Sequence, residues 1–316
     1  TPDDVFVSAL PLFHAFAAMV FLVLPVYTGA VSHLMERFLP AHTLQVLEGS
    51  KATVFGGVPS MFGLMLQLSR ETHPDLSQLR LCVSGGAPLP PETWMAFEQE
   101  YDVKMVEGYG LTEAAPVVAV NPPDGVRKPG SIGLPLPGIR VKLVDERGCA
   151  VPPGVIRELA VRGDNIMKGY LGLPQETQAS IRSGWLFTGD LARADEDGYL
   201  YIVGRKKELI IVGGLNVYPG EVERVLVEHP AVLEAAAFGV PDASRGEAVW
   251  AAVVLRPNAR ATAQELQAFC RERLASYKVP RGIDFKPELP KNALGKVLRH
   301  VLGQEVTRRL EGPEAV

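Results

Sequence analysis

Short apolar runs alternate with segments of helical periodicity along the first part of the chain. Runs such as VFVSAL and LRLCVSG are short and apolar and end at turn residues, which is typical of buried strands. Segments such as residues 59–68 and 90–101 carry apolar side chains on one helical face. Strands that alternate with helices in this way predict an α/β sheet with helices packed on it.

The predicted elements cover most of the first 110 residues. The strands are VFVSAL, ATVFGG, LRLCVSG and KMVEGY, and the helices lie within residues 14–24 and at 41–48, 59–68 and 90–101. From residue 130 to 204 the pattern changes to strands separated by turns, as in IRVKLVD, IRELAVRG and YLYIVG. This second pattern predicts a β-rich subdomain.

After the charged run RKKE the chain again mixes strands and helices. The predicted elements are the strands LIIVGG, AAAFGV and VWAAVVL, helices at 219–228 and 262–274, and a closing helix from about Lys296. They predict a separate α+β domain of about 110 residues. We therefore place a first domain at 1–206, with an α/β part at 1–129 and a β-rich part at 130–206, and a second domain at 207–316.

Composition and charge limit the classes of protein that fit. A chain of 316 residues that is 47% hydrophobic can bury a substantial core, and a net charge of −4 gives no reason to expect nucleic-acid binding. Cys82, Cys149 and Cys270 lack the spacing of a disulfide framework or a zinc site, so we expect a reducing cytoplasm. Residues 5–31 are apolar enough for a membrane span, but prolines and Gly29 interrupt them and favour a buried strand and helix.

Two glycine-containing motifs follow predicted strands. SGGAPLP puts bare backbone at Gly85 and Gly86 where a strand ends, which is where ligands bind in open α/β sheets, although an ordinary strand-to-helix turn explains it as well. In EGYGLTE, the Thr112 hydroxyl and the Glu113 carboxylate suit a Mg²⁺ ion that carries phosphates. The structural alternative is an N-capping Thr-Glu pair.

Four further residues have both a functional and a structural interpretation. Asp190, after the Thr-Gly of GWLFTGD, can accept both hydroxyls of a ribose or serve only as a turn residue. Lys296 can present its ammonium to a carboxylate or phosphate at the start of a helix, or be an exposed lysine. Arg205 is a phosphate ligand or a solvated charge, and His14 lines a pocket or is a hydrogen-bonded core histidine.

Taken in order, the motifs resemble those of the AMP-forming adenylate-forming enzymes, which include acyl-CoA synthetases, luciferases and the adenylation domains of peptide synthetases. The resemblance covers nearly the whole chain and rests on LPLFHAF, SGGAPLP, EGYGLTE, GSIGLPLPG, ELAVRG, MKGY, GWLFTGD, GRKKELIIVGGLNVYPGEVE and PKNALGKVLR. It implies that a carboxylate attacks the α-phosphate of ATP, releasing pyrophosphate, and that a thiol then displaces AMP. It also implies that residues 1–206 are part of a large N-terminal domain and that residues 207–316 form a mobile lid.

The resemblance assigns a role to each candidate. Lys296 matches a lysine that bridges both reactants, Glu113 matches the Mg²⁺ ligand, and Thr112 matches a hydroxyl on the phosphate or metal side. The implied nucleotide-binding residues are Gly85, Gly86, Ala87, Tyr109, Asp190 and Arg205, of which Tyr109 stacks on the base and the last two bind the ribose. Three further implied features are His14 at the acyl site, Lys207 as the hinge, and Gly213 with Gly214 on the CoA path.

Within the family, EGYGLTEAAPVVAVNP, GLNVYPGEVE and YKVP look most like bacterial medium- and long-chain fatty acyl-CoA ligases. This implies fatty acid, ATP and CoA as substrates with Mg²⁺, and no nucleic-acid partner. The apolar segments 13–21 and 54–68 line an acyl tunnel or form ordinary core. Another carboxylate, another acceptor or a noncatalytic binding fragment are the alternatives, and a homodimer or peripheral membrane contact is compatible with each.

One family feature is missing from the sequence. The Ser/Thr/Gly-rich loop ending in Pro-Lys-Gly, which in this family grips the β- and γ-phosphates, does not precede LPLFHAF. We therefore expect a C-terminal portion that is inactive alone and exposes apolar faces of its first strands. Two smaller departures, Phe187 in place of a common His and Arg157 in place of a common Gly, remove no candidate ligand.

Overall fold

The computed structural model describes residues 1–145, 147–292 and 295–312 and divides the chain into two compact units. The first comprises Thr1–Thr188 and Ala192–Ile202, and the second comprises Gly189–Leu191 and the chain from Val203 onward. Sheets and helices mix in both units, so the α/β class expected from the sequence is confirmed. The functional boundary between residues 206 and 207 stays a prediction.

A seven-stranded sheet organises the start of the first unit. Its strands are β1 Val5–Ser8, β2 Val31–Leu34, β3 Val54–Gly57, β4 Leu81–Ser84, β5 Lys104–Gly110, β6 Val117–Val120 and β7 Leu134–Pro135. The spatial order is β2-β1-β3-β4-β5-β6-β7. Strands β2 to β5 of this order pair in parallel, and β6 and β7 continue it antiparallel. The parallel strands therefore bring their carboxyl ends to one edge.

Helices cover both faces of this sheet. They are α1 Ala15–Ala17 and α2 Leu24–Thr28, joined by a π-helical turn at Ala18–Val23, followed by α3 Pro40–Gly49, α4 Pro59–Thr72 and α5 Pro91–Tyr101. The last three begin at proline, whose fixed φ and missing N–H suit the first helical position.

Neighbouring residues of each strand point to opposite faces of the sheet. Phe55 packs with helices α3 to α5 and touches Phe62 edge-on at a ring-centroid distance of 5.5 Å. Val54, one residue earlier, packs on the other face with Phe21 of the helical segment 15–28. The period of two that defines a strand thus separates two apolar cores.

A second sheet follows in the middle of the chain. Its strands are β8 Arg140–Val144, β9 Arg157–Arg162, β10 Ile181–Arg182, β11 Trp185–Ala194 and β12 Leu200–Arg205, with helix α6 at Pro174–Ser180. The order is β10-β11-β9-β8, and β12 pairs with β11. This agrees with the β-rich pattern of residues 130–204.

A third sheet forms the centre of the second unit. Its strands are β13 Ile210–Val212, β14 Leu215–Val217, β15 Val232–Asp242, β16 Gly246–Leu255 and β17 Gly282–Phe285, and its helices are α7 Pro219–Val227, α8 Ala263–Arg271 and α9 Arg299–Glu311. Residues of α7 and α8 such as Val222 and Leu266 pack on one face. Leu302 and Val306 of α9 pack on the other.

The structure corrects three details of the sequence analysis. The closing helix begins at Arg299, so Lys296 lies before it and not at its first turn. GWLFTGD is part of the long strand β11, so Asp190 is a strand residue and not a turn residue. Strands β2, β6, β7, β10, β11, β14 and β17 and helix α6 were not predicted.

Exposed apolar side chains concentrate between residues 12 and 39. They are Leu12, Phe13, Met19, Leu22, Val23, Leu24, Val26, Tyr27, Val31, Leu34 and Leu39. Residues 5–31 do form a strand followed by a helix, but much of this helix faces outward. Within the described ranges, no helix is both long enough and apolar enough to span a membrane.

The loop after β5 approaches the strand closely at Gly110, and a substitution at this residue tests that approach. A Cβ at Gly110 would lie 2.1 Å from the Pro116 carbonyl oxygen, so we expect Gly110→Ala to lower the free energy of unfolding by at least about 2 kcal/mol. Gly49→Ala is the matched control, because no atom lies within 4 Å of its added Cβ and alanine favours helix α3 by at most about 1 kcal/mol. Urea unfolding of both variants measures the effect, and equal stabilities would contradict the close approach.

Candidate functional site

The turn SGGAPLP lies at the carboxyl end of β4. The Gly85 amide donates to the Gly57 carbonyl of β3 at 3.3 Å. A methyl group at Gly85 would lie 3.4 Å from the Gly108 carbonyl oxygen and 3.5 Å from the Phe16 ring. The turn therefore touches both β5 and the helical segment that follows His14, while Gly86 and Ala87 remain exposed.

His14 and Tyr109 lie in the two elements that this turn touches. His14 is half-buried at the N-cap of α1, where its carbonyl accepts the Ala18 amide at 3.0 Å. Tyr109 is half-buried in β5 opposite Ala119 of β6. Because β4 and β5 are neighbours in parallel, the structure brings the glycine turn and Tyr109 to the same sheet edge.

Thr112 and Glu113 lie in a short 3-10 turn after β5. Its N-cap residue is Leu111 and no side chain caps it, so the N-capping interpretation of the Thr-Glu pair is wrong. Thr112 is exposed, and Glu113 accepts a hydrogen bond from the Tyr170 hydroxyl at 2.8 Å. Burial, followed by this hydrogen bond, raises the pKa of Tyr170, so the hydroxyl stays a donor at neutral pH.

A buried polar network lies beneath the turn. Glu107 accepts the Leu89 amide on its carboxyl group at 3.1 Å, and its carbonyl accepts the Asn121 amide at 3.0 Å. The Asn121 side chain donates to the Ser131 carbonyl at 2.7 Å. Glu107, Asn121 and Ser131 are all buried. Burial raises the pKa of Glu107 to about 8, although the hydrogen bond from Leu89 lowers it.

The second unit holds the ionic pair of Asp190 and Arg205. Asp190 is 5% exposed, and the Arg205 Nε donates to its Oδ1 at 3.0 Å. Arg205 is therefore a paired charge at the surface, with a buried carboxylate as its partner. The pair leaves part of the guanidinium exposed, since 46% of the Arg205 side chain is accessible.

Lys296 lies near this pair on a tight turn of the same unit. Its amide donates to the Asn292 Oδ1 at 3.0 Å, and its carbonyl accepts the Asn292 amide at 2.9 Å. Residues 293 and 294 of PKNALGKVLR lie outside the described residues. Desolvation and then the charge of Arg205 lower the pKa of Lys296, whereas Asp190 and Glu208 oppose that change. Lys296 is exposed, as one of the two interpretations of the sequence expected, and the charges of Arg205 and Asp190 act on its ammonium within the same unit.

Arg299 fixes the segment that follows Lys296. It donates to both carboxylate oxygens of Glu223 in α7, at 2.9 and 3.0 Å, and to Glu208 at 2.9 Å. Glu208 adjoins Lys207 in the 3-10 turn Lys206–Glu208. A bidentate Arg-carboxylate pair is geometrically restrictive, so Arg299 ties the start of α9 to the segment around Lys207.

Gly213 and Gly214 form the two-residue turn between β13 and β14. Their φ values are +59° and +82°, and Val212 pairs with Leu215 across them. Positive φ at both central positions is the geometry of a type I′ hairpin turn, which explains the two glycines without a ligand. Lys207, the expected hinge, is exposed.

Three residues that hold the candidate side chains in place were not predicted from the sequence. Glu107, Tyr170 and Arg299 lie inside the motifs EGYGLTE, MKGY and PKNALGKVLR. A carboxylate in the otherwise apolar run KMVEGY was a signal for Glu107. Tyr170 and Arg299 gave no signal, because their partners are 57 to 91 positions away in the chain.

The side chains of Glu113 and Thr112 are the expected ligands of a Mg²⁺ ion. Among the described residues, no group of three or more His, Cys, Asp or Glu side chains is arranged to hold a metal ion. Glu113, with the exposed Thr112 hydroxyl beside it, offers one carboxylate. This suits Mg²⁺, which keeps several waters and is often bound by one or two carboxylates together with substrate phosphates.

Two family models match the chain. The model described as AMP-binding enzyme matches residues 1–171, and the model described as AMP-binding enzyme C-terminal domain matches residues 221–296. The first of these covers more than half of the chain. Their order along the sequence agrees with the order of the two compact units.

Individual proteins match over nearly all of the chain. A long-chain-fatty-acid–CoA ligase of Bacillus subtilis (strain 168) is 44% identical over 94% of this chain and 53% of its own length. A feruloyl-CoA synthase of Amycolatopsis sp is 40% identical over 97% of this chain and 62% of its own length. The crystal structure of ATP-bound MatB from Rhodopseudomonas palustris is 36% identical with a TM-score of 0.93, over 98% of this chain and 61% of that one. The chain thus spans about half the length of the curated fatty-acid ligases it matches.

The pH dependence of stability tests the environment of Glu107. A carboxyl group with a folded pKa of about 8 against an ordinary 4.5 favours folding below pH 4.5 and loses that contribution as pH rises to 8. We expect Glu107→Gln, which stays neutral, to become more stable than the wild type by a few kcal/mol over this range. Urea unfolding at intervals across the range measures this, and a pH-independent difference would show that Glu107 is not shielded from water.

Proposed function

Because the chain belongs to the AMP-binding enzyme family, we propose that the complete protein is an AMP-forming fatty acyl-CoA ligase. It joins a fatty acid to CoA in two steps, through an acyl-adenylate, with ATP as the second substrate. The observation that carries the first step is the cluster of Lys296, Arg205 and Asp190. The 44% identity to a bacterial long-chain ligase supports the fatty acid as substrate.

Charge is the first obstacle to adenylation. A carboxylate must approach a phosphate, so a cation has to offset the repulsion of two anions at the point of attack. Lys296 is an exposed residue on a tight turn, and the charges of Arg205, Asp190 and Glu208 all act on its ammonium. We assign Lys296 to the carboxylate and the α-phosphate, which it holds in line.

We assign nucleotide binding to the residues that the sequence motifs indicate. Asp190 is fixed by Arg205 and can accept the two ribose hydroxyls, since a carboxylate has several acceptor sites. The backbone at Gly85, Gly86 and Ala87 accommodates the adenine, and the Tyr109 ring beside it stacks on the base. The contact of Gly85 with β5 supports this assignment, because it puts the turn and the strand of Tyr109 at one edge.

We assign Glu113 and Thr112 to the metal and phosphate side. A Mg²⁺ ion bound there supplies positive charge for the phosphate oxygens. Tyr170 donates to Glu113 Oε1 and so orients the carboxylate, which leaves Oε2 to face the ion.

The second step requires a path for the CoA thiol. We assign Lys207 to the hinge of the C-terminal lid and the hairpin turn Gly213–Gly214 to the thiol path, which lets one lid serve both half-reactions. Arg299 supports this assignment, because its pairs with Glu208 and Glu223 couple the Lys296 segment to the segment around Lys207. His14 borders the acyl group.

A hydroxycinnamate or other aromatic acid is the second candidate substrate. The 40% identity to a feruloyl-CoA synthase supports it nearly as well as the fatty acid is supported. Phe13 is 79% exposed, whereas Phe16 and Phe21 pack together at a ring-centroid distance of 5.9 Å. The same apolar segment suits an alkyl chain or a ring, so the acid has to be identified by assay.

Loss of the Lys296 ammonium should abolish adenylation. In the complete protein with palmitate and ATP, we expect Lys296→Ala to lower the rate of pyrophosphate release at least about 100-fold. Lys291→Ala is the matched control, because Lys291 is a lysine of the same turn that pairs with Glu234. Assays with octanoate, acetate and ferulate identify the acid, and release with ferulate alone would contradict the fatty-acid assignment.

Tyr170→Phe should weaken metal binding without disturbing the fold. Removal of one hydrogen bond to Glu113 is expected to weaken Mn²⁺ binding in the presence of ATP about three- to tenfold. Electron paramagnetic resonance of free Mn²⁺ measures the affinity directly. Tyr199→Phe, which removes a hydrogen bond to the Val126 carbonyl, is the control. Identical Mn²⁺ affinities of wild type and Tyr170→Phe would contradict the orienting role.

A further inference from the structure

Glu107 has a carboxyl group in a buried position that disfavours the charged carboxylate form. It is 2% exposed within an apolar strand, and burial raises its pKa to about 8. Ser84, its partner in the register of β4 with β5, is also fully buried. Within the described ranges, neither the Ser84 hydroxyl nor the Glu107 Oε2 has a hydrogen-bond partner. Two adjacent buried polar groups with unused capacity cost stability, so the fold alone does not explain them.

Among the described residues, the hydrogen bond that the Glu107 side chain makes is to the turn. Residues 88, 90 and 91 are prolines and have no N–H, so the Leu89 amide is the only backbone donor between positions 88 and 91. That amide donates to Glu107 Oε1 at 3.1 Å. At its other end the turn is held by the Gly85 amide, which donates to the Gly57 carbonyl. Glu107 therefore binds the only backbone N–H group at the proline-rich end of the turn.

We propose that Glu107 is a positioning residue for nucleotide binding, which fixes residues 84–90 against β5 through the Leu89 amide. The inference rests on the proposed function, because it takes the turn to be the adenine-binding segment. Among the residues that the structure describes, no backbone hydrogen bond holds Gly86 or Ala87, so the rigidity of this exposed backbone depends on the ends of the turn at Gly85 and Leu89. A rigid turn lowers the entropic cost of binding the base.

The network behind Glu107 extends this support. Its carbonyl accepts hydrogen bonds from the amide and the side chain of Asn121, at 3.0 and 3.3 Å. The Asn121 Oδ1 in turn accepts the Lys128 amide at 2.9 Å. Glu107 is thus held from the β6 side while its carboxyl group holds the turn.

Two near-isosteric variants separate positioning from stability. Glu107→Gln keeps a carbonyl oxygen for the Leu89 amide and remains neutral. Glu107→Met fills the same space without an acceptor, so it leaves the Leu89 amide unpaired while it also removes a buried carboxyl group. Thr43→Ala is the control for loss of a buried polar group elsewhere, because the Thr43 hydroxyl donates to the Leu39 carbonyl within its own helix region.

AMP binding to the complete protein, measured by calorimetry, tests the proposal. We expect Glu107→Met to weaken AMP binding about tenfold and Glu107→Gln and Thr43→Ala to stay within about twofold of wild type. Hydrogen exchange at Leu89 is the second measurement, and it should accelerate in Glu107→Met alone. Wild-type affinity in Glu107→Met would overturn the positioning role and leave the proposed function intact. Absence of AMP binding by the wild type would overturn both.

Discussion

The parallel register of β4 with β5 places Ser84 opposite Glu107, and the candidate site of the first unit depends on it. A shift by one residue would turn every side chain of a strand to the other face, with Cys82 and Met105 leaving the core of α3 to α5. The same shift would move the glycine turn away from Gly108. The buried Phe55, Phe62 and Phe97 cluster holds this register by packing, and the hydrogen bond between Leu89 and Glu107 holds it at the edge.

Ion pairs hold several charged residues of the second unit. Arg205 pairs with the buried Asp190, and Arg299 bridges the carboxylates of Glu208 and Glu223. For Lys296, desolvation and the nearby Arg205 lower the pKa, whereas Asp190 and Glu208 oppose that change. A cation in that state gains most from an anionic partner. This is the physical basis for assigning the reacting anions to Lys296.

Elements with strong local signals were predictable from the sequence. Strands β3 and β4 and helices α4 and α5 have short apolar runs or clear helical periodicity with proline at the start, and each lies where it was expected. Strands β2 and β14 have only four and three residues, and pairing decides their conformation: β2 pairs with β1 across the intervening helical segment, and β14 pairs with β13 in a hairpin. Lys296 was placed on a helix because Gly-Lys before an apolar run resembles a helix start. The Asn292 side chain holds a turn there and delays α9 to Arg299.

The candidate residues were predictable only through motifs, and their partners were not. Glu113, Asp190 and Arg205 lie in recognisable motifs, but the hydrogen bond of Tyr170 to Glu113 and the pairing of Asp190 with Arg205 are seen only in the folded chain. Contact geometry contradicts two structural alternatives, because Leu111 occupies the N-cap position before Thr112 and Asp190 lies in a strand. Pairing over long sequence separations is a property of the tertiary structure.

Tracing the carboxylate oxygen tests the proposed chemistry most directly. Attack of the carboxylate on the α-phosphate forms a bond between that oxygen and phosphorus, and thiol attack on the carbonyl carbon then leaves the oxygen on AMP. With palmitate labelled with oxygen-18 in its carboxyl group, the complete protein should produce AMP that carries a single labelled oxygen, together with palmitoyl-CoA, as measured by mass spectrometry. Unlabelled AMP, or label in orthophosphate with formation of ADP, would contradict the acyl-adenylate pathway.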